Sequence, residues 1–192
     1  MQLSLKRSST RLLLARRKKS SFKAPDQMKL FILRHGMTAE SDADERRELS
    51  EKGVKEVEDI VRRRCDDLRG VTRIYSSPMI RVRQTLDIAA RILDFQGPVV
   101  ESQYLTTGSR LNEIVSFVNE LEFDAGDVLV SSHQSCTSIL VLWLTGEDIL
   151  IPNGSLLAIE VDKPAQGCGE ILWQESQNSG EIKRAVNFVD QF

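Results

Sequence analysis

The 192-residue chain contains two histidines, and each follows an apolar run that is typical of a strand. His35 stands beside Arg34 directly after Leu30–Leu33, and His133 follows Asp127–Ser132. Open α/β sheets bind ligands beyond the carboxyl ends of their strands, so we expect the two imidazoles to meet at one edge. A neutral imidazole is a nucleophile near pH 7, and a guanidinium donates two hydrogen bonds to one phosphate. The pattern therefore indicates a phosphate pocket with a histidine nucleophile.

A third cation is predicted at the next strand-to-helix junction. Ser77 followed by Pro78 is typical of a helix start, with a capping hydroxyl and proline in the first position, and Arg81 then falls in the first turn. A helix N-terminus attracts anions and disfavours cations, unless the two share an anion. Taken singly, each of these residues is more often structural or solvated. Their joint placement at strand ends favours a phosphate site; Arg83 is interpreted as a surface charge.

Strand and helix patterns alternate from Met28 onward, which predicts one mostly parallel sheet covered by helices on both faces, a three-layer α/β/α sandwich. Ser50 is the expected N-cap of the first helix, and Val99–Leu105 is irregular. Five segments are predicted as strands: Leu30–Leu33, Val71–Tyr75, Asp127–Val130, Ser155–Val161 and Glu170–Trp173. Helices are predicted after Ser50, after Ser77, over Leu111–Leu121 and after His133.

Charge divides the chain into two parts. Residues 1–27 carry eight basic side chains and one acidic side chain, whereas the remaining 165 residues have a net charge of −9. A body this acidic is a poor candidate for nucleic-acid binding, which depends on neutralising phosphates. The basic extension is interpreted as a disordered tail, for example upstream sequence that is translated before a natural start at Met28. The alternatives are an organellar transit peptide and an anchor to anionic lipid. Residues 28–192 are expected to form the domain.

The cysteines indicate a reducing compartment, so a cytoplasmic location is expected. Cys65, Cys136 and Cys168 form no C-x-x-C pair, and no apolar run approaches the roughly 20 residues that span a bilayer. The two histidines stand far apart in sequence without a cysteine cluster, so a zinc site is not expected.

Three motifs resemble those of the histidine phosphatase superfamily, which has the phosphoglycerate-mutase-like fold. They are Leu-Arg-His-Gly-Met-Thr at 33–38, Arg-Glu-Leu-Ser-Glu-Lys-Gly at 47–53, and Ser-Pro-Met-Ile-Arg-Val-Arg-Gln-Thr at 77–85, followed by Ser132-His133. The resemblance covers essentially all of 28–175. Within the superfamily the chain looks most like the SixA-type phosphohistidine phosphatases, because of its small size and of Leu-Thr-Thr-Gly at 105–108 and Asn-Gly-Ser at 153–155.

The resemblance implies roles for individual residues. His35 is the nucleophile that becomes phosphorylated, while Arg34, Arg81 and His133 hold the phosphoryl oxygens, His133 as imidazolium. Thr38 is implied to line the phosphate pocket. No metal and no cofactor are expected.

Two features favour a phosphorylated protein as substrate. Only 52 positions separate Arg81 from His133, which leaves no room for the large lid of many relatives, so the pocket is expected to be open. Family members that cleave phosphate esters carry an acid near Val99–Leu105, where Tyr104 aligns; nearby acids are Glu40, Glu101 and Glu113. A phosphohistidine P–N bond breaks without a strong acid, so the chain is interpreted as a phosphohistidine phosphatase.

The expected partner is a histidine-containing phosphotransfer domain of a phosphorelay, as the resemblance implies. Two alternatives stay open: a small-molecule phosphomonoesterase of the same superfamily, and a phosphohistidine-binding module without catalysis. The sequence does not distinguish the physiological substrate or the oligomeric state.

Overall fold

In the computed structural model of the chain, residues 27–122 and 125–177 are described. Apart from Gln27, the predicted basic extension lies outside these residues, and so do the last fifteen positions of the predicted domain.

One six-stranded sheet forms the centre of the molecule, in the order β3-β2-β4-β1-β5-β6. The first four strands in this order run parallel, whereas β5 is antiparallel to both of its neighbours, β1 and β6, so the predicted mostly parallel sheet is confirmed. The strands are β1 Met28–Arg34, β2 Val71–Ser76, β3 Val99–Glu101, β4 Asp127–Ser132, β5 Leu156–Val161 and β6 Gly169–Glu175.

Four α-helices cover the two faces of the sheet: α1 Glu51–Arg63, α2 Ile80–Leu93, α3 Leu111–Glu120 and α4 Gln134–Thr145. Side chains alternate along β1, so Phe31 packs in the core under α1 and α2 while Ile32 packs in the core under α3 and α4. The central strands β1 and β4 are therefore apolar on both faces, as expected for a sheet that is covered on both sides. The predicted three-layer sandwich is confirmed.

One local prediction needs correction. Helix α2 begins at Ile80 with Met79 as its N-cap, so Ser77 and Pro78 precede the helix rather than open it. The irregular segment Val99–Leu105 consists of the edge strand β3 and a short 3-10 turn at Gln103–Leu105. The Ser50 cap is confirmed, because its hydroxyl accepts a hydrogen bond from the backbone N–H of Gly53.

Among residues 27–122 and 125–177, no helix combines the length and apolar character needed to cross a bilayer. Over the same residues, no three His, Cys, Asp or Glu side chains are grouped so that they could hold a metal ion. The three cysteines are free thiols.

Candidate active site

The carboxyl ends of β1 and β4 bring the two histidines together. Arg34 and Ser132 are paired across the two strands, and the next residue along each strand is a histidine. The rings of His35 and His133 meet edge to face, with centroids 5.3 Å apart. Both residues are buried, at 7% and 3% exposure. The predicted meeting of the two imidazoles at one sheet edge is thus what the structure shows.

The loop after His35 is held by close contact with α1 and α2. A Cβ on Gly53 would lie 2.0 Å from the carbonyl oxygen of Met37, and a Cβ on Gly36 would lie 2.6 Å from the carbonyl oxygen of Gly53. The hydroxyl of Thr85 accepts a hydrogen bond from the backbone N–H of Gly36. Glycine is needed at 36 and 53 because two backbones touch there. This contact explains why two of the sequence motifs meet in space.

The main chain fixes the proton on His35. The Nδ1 atom lies 2.8 Å from the carbonyl oxygen of Gly36, and a carbonyl oxygen can only accept, so Nδ1 carries the proton and Nε2 keeps its lone pair. Burial, together with the charges of Arg81 and Arg34, lowers the pKa of His35 to about 4, against the opposing effects of the Gly36 hydrogen bond and of Asp44. The ring is therefore neutral at pH 7, which is the nucleophilic form.

A side chain orients His133. Its Nε2 lies 3.0 Å from the hydroxyl oxygen of Ser77, which also accepts a hydrogen bond from the backbone N–H of Met79. A hydroxyl has one O–H and two lone pairs, so Ser77 can donate to Nε2 or accept from it, and the contact fixes the orientation of the ring but not its tautomer. Nδ1 is buried and has no hydrogen-bond partner among residues 27–122 and 125–177. When it is protonated, a buried ring nitrogen without a partner is suited to an anion.

The imidazolium form that the resemblance implies for His133 is not favoured in this structure. Burial lowers the pKa of His133 to about 3, and the charges of Arg81, His35 and Arg34 lower it as well. A phosphate dianion beside the ring would act in the opposite direction, because an opposite charge stabilises the protonated form.

Both predicted arginines act on this pair of rings. The Nη1 atom of Arg34 donates to the side-chain oxygen of Gln134 at 2.6 Å and to the carbonyl oxygen of Ile151 at 2.7 Å. Its Nε is buried without a hydrogen-bond partner in the part of the chain that the structure describes. Arg81 is buried, and its positive charge acts on the same site. Like Arg34, it lowers the pKa of both histidines. Four predicted site residues therefore converge at one sheet edge.

Thr38 lies at the rim of this arrangement. It forms an antiparallel bridge with Leu49 and lines a cavity of about 490 Å³ together with Glu40 and Arg47. These contacts do not connect its hydroxyl to the histidines, so its role in binding phosphate stays a prediction.

The glutamates considered as acids have other partners or positions. Glu113 accepts a hydrogen bond from the backbone N–H of Arg110 at the start of α3, and Glu101 lies 3.7 Å from the half-exposed Arg83. Tyr104 packs against the core. The charges that shift the pKa of His35 come from Arg81, Arg34 and Asp44, and none of them comes from a glutamate.

Sequence reasoning missed Asp44 and misread Ser77. Asp44 contacts Arg81 directly, but in the sequence it stands in a charged stretch with Asp42 and Glu45, and no spacing distinguishes it from them. Ser77 was interpreted as a helix cap, whereas its hydroxyl contacts His133. The Ser-Pro signal located the junction correctly, but the contact with a residue 56 positions away is visible only in three dimensions.

Comparisons with known proteins agree with this geometry. Residues 30–114 match the profile of the histidine phosphatase superfamily (branch 1), and this span includes Arg34, His35 and Arg81. No curated protein sequence matches the chain.

Solved structures share the fold over most of the chain. The protein histidine phosphatase SixA, solved as a complex with tungstate, is 26% identical with a TM-score of 0.69, over 78% of this chain and 97% of that chain. A protein from Nakamurella multipartitia that is named after the phosphohistidine phosphatase SixA is 20% identical, with a TM-score of 0.70, and the match covers 80% of this chain and 98% of that chain. A mycobacterial glucosyl-3-phosphoglycerate phosphatase is 14% identical with a TM-score of 0.60, over 76% and 97%. The chain is thus similar to the histidine phosphatase superfamily, in its sequence over residues 30–114 and in its fold.

Proposed function

We propose that this chain is a phosphohistidine phosphatase that acts on a phosphorylated protein through a phospho-His35 intermediate. The observation that carries the proposal is the neutral His35 ring, whose proton is held on Nδ1 by Gly36 while Nε2 keeps a free lone pair. Two buried nitrogens without partners within the described ranges, Nε of Arg34 and the protonated form of Nδ1 of His133, are suited to phosphoryl oxygens.

The reaction takes place in two displacements. Nε2 of His35 forms a bond to phosphorus while the P–N bond of the substrate breaks, and the substrate imidazole, protonated by solvent on its other nitrogen, leaves with the electron pair as neutral imidazole. Water then attacks phospho-His35, the bond to Nε2 breaks and returns His35 as neutral imidazole, the water gives one proton to solvent, and hydrogen phosphate leaves. In both steps Arg34, Arg81 and His133 stabilise the charge on the phosphoryl oxygens, which is the main task in phosphoryl transfer.

The surroundings of His35 favour a phosphohistidine over a phosphate ester. An alkoxide leaving group needs a proton donor, and Glu101 and Glu113 lie instead against Arg83 and the backbone N–H of Arg110. Asp44 is the carboxylate whose charge acts on the ring, but one of its oxygens accepts a hydrogen bond from Arg81 and the other lies 3.6 Å from Arg47. An imidazole is a better leaving group, so the site is suited to a P–N bond.

The short connection between α2 and β4 favours a protein as the carrier of the phosphate. Between α2 and β4 the described residues form only the edge strand β3, a short turn and α3, so no large lid arises from this connection. SixA, the 26% identical neighbour, is named a protein histidine phosphatase. A histidine-containing phosphotransfer domain in the cytoplasm is the partner we propose, with residues 28–192 as the catalytic domain and no metal needed.

A parallel assay tests the proposal. The purified chain is incubated, in EDTA, with a ³²P-labelled histidine-containing phosphotransfer domain and, separately, with sugar phosphates. We expect release of phosphate from the labelled domain and slow hydrolysis of the esters. A strong preference for esters would support the small-molecule phosphomonoesterase instead. Tight binding of the labelled domain without phosphate release would indicate a module that has lost catalysis.

A further inference from the structure

An acidic residue, Asp44, is hydrogen-bonded to Arg81, the arginine proposed to bind phosphate. Asp44 begins a short 3-10 turn, Asp44–Arg46, in the connection between β1 and α1. The Nη1 atom of Arg81 donates to the backbone carbonyl oxygen of Asp44 at 2.8 Å, and Nη2 donates to its carboxylate at 3.0 Å. The Arg81 side chain is 4% exposed and that of Asp44 is 50% exposed. A buried cation of the site is thus bound at both terminal nitrogens by one residue at the surface.

The contact resembles the contact that a phosphate would make. Carboxylate and phosphate oxygens both accept hydrogen bonds from the planar fork of a guanidinium. The charge of Asp44 also acts on the two rings, since it raises the pKa of His35 and of His133 against the larger opposing effects. A dianion that approaches the rings therefore meets a like charge on the same arginine.

The base of the connection that carries Asp44 is anchored, whereas its tip is exposed. The base is held by the bridge between Thr38 and Leu49 and by the hydrogen bond from Leu49 N–H to the side chain of Gln84. Asp42 and Glu45, on either side of Asp44, are exposed. The carboxylate can therefore leave Arg81 without disturbing the anchored base. Arg47, at 3.6 Å, is a second cation within its reach.

We propose that Asp44 competes with the phosphoryl group for Arg81 and thereby weakens the binding of free phosphate. The inference rests on the proposed function and deepens it. A phosphorylated protein makes contacts beyond the phosphate, and these help it to displace the carboxylate. Inorganic phosphate makes no such contacts, so the product leaves once the phosphoenzyme is hydrolysed. Asp44 is then a specificity-determining residue that separates protein-borne phosphate from free phosphate.

The test compares Asp44→Asn with Glu45→Gln, which removes one negative charge from the same turn without touching the contact with Arg81. Binding of inorganic phosphate is measured by calorimetry at low ionic strength, and its inhibition constant is measured in the phosphatase assay. We expect Asp44→Asn to bind phosphate about three- to tenfold more tightly than the unaltered chain, the range for a half-exposed ion pair and its like-charge repulsion. Glu45→Gln is expected to stay within about twofold.

Other results overturn the inference. Weaker phosphate binding by Asp44→Asn would mean that Asp44 holds Arg81 in place for the phosphate, and equal binding would mean that the two anions do not compete. If the unaltered chain neither binds phosphate nor hydrolyses phosphohistidine, the proposed function itself fails. If it does both and the variant does not differ, only this inference fails.

A second measurement does not depend on the stability of the variant. In a crystal structure of the unaltered chain with inorganic phosphate between the histidines, we expect the carboxylate of Asp44 to have left Arg81. A carboxylate that still lies about 3 Å from Nη2 of Arg81 with phosphate bound would overturn the competition.

Discussion

The two histidines reach the same sheet edge by different means. His35 follows the central strand β1, and its Nδ1 proton is held by the carbonyl oxygen of the next residue. His133 follows β4 and is the N-cap residue of α4, and its ring is oriented by a serine from the connection between β2 and α2. The main chain defines the nucleophile, whereas a replaceable side chain defines its neighbour. Substitutions can therefore separate the chemistry of the first ring from the orientation of the second.

The largest effect is expected from His35→Ala. This change removes the attacking nitrogen, so turnover of a phosphohistidine protein should fall by more than about 10⁴-fold and no phosphoenzyme should form. Acid-quenched labelling with ³²P-phosphorylated substrate measures the second quantity directly. Full activity in this variant would mean that His35 is not the nucleophile.

The next largest effect is expected from Gly53→Ala, which disturbs the main-chain contact between α1 and the loop after His35. The added Cβ would lie 2.0 Å from the carbonyl oxygen of Met37, so α1 or the loop after His35 must shift. We expect a loss of about 2 to 4 kcal/mol in the free energy of unfolding, measured by urea denaturation. Lys55→Ala, at an exposed position of α1, is the control and should change stability by less than about 0.5 kcal/mol. Equal stability of the two variants would contradict the close contact.

Acid should destabilise the fold through both rings. In the unfolded chain a histidine has a pKa near 6.5, whereas burial lowers the pKa to about 4 for His35 and about 3 for His133. Between these values the unfolded chain binds more protons, so the free energy of unfolding falls as the pH decreases. From pH 7 to pH 5 we expect a loss of about 1 to 2 kcal/mol for each ring.

Denaturation of His133→Gln at the two pH values checks this, because the variant should lose less stability than the unaltered chain. An equal loss in both proteins would show that His133 does not remain neutral.

The smallest effect is expected from Ser77→Ala, which tests the side-chain half of the comparison. Without the hydroxyl that contacts Nε2, His133 loses the hydrogen bond that orients its ring, so the pKa of His133 should change and kcat should fall by about tenfold. NMR titration of the two histidines gives the pKa. Ser76→Ala is the matched control, since Ser76 is equally buried but bonds to the carbonyl oxygen of Ser77. If both variants behave alike, the serine fills space and does not orient the ring.

Much of the fold was predictable because strong local signals agree with the final packing. The apolar strand β1, the Ser50 cap and the helical spacing after Leu111 are strong local signals, so the alternation of strands and helices in a covered sheet follows from few assumptions. The four central site residues were predictable because strand ends and helix starts are visible in the sequence. Asp44 was not, since an exposed turn has no periodic pattern and its partner is 37 positions away. The start of α2 was misplaced because Ser77 is used by His133 rather than by the helix.

The hydrogen bond between His35 and its own neighbour's carbonyl has a consequence for the regiochemistry of the phosphoenzyme. Imidazole can be phosphorylated on either nitrogen, and the two products are distinct isomers. Since Nδ1 is already committed to Gly36, only the distal nitrogen is available to phosphorus. The covalent adduct should therefore consist of one isomer, whichever nitrogen carried the phosphate on the substrate.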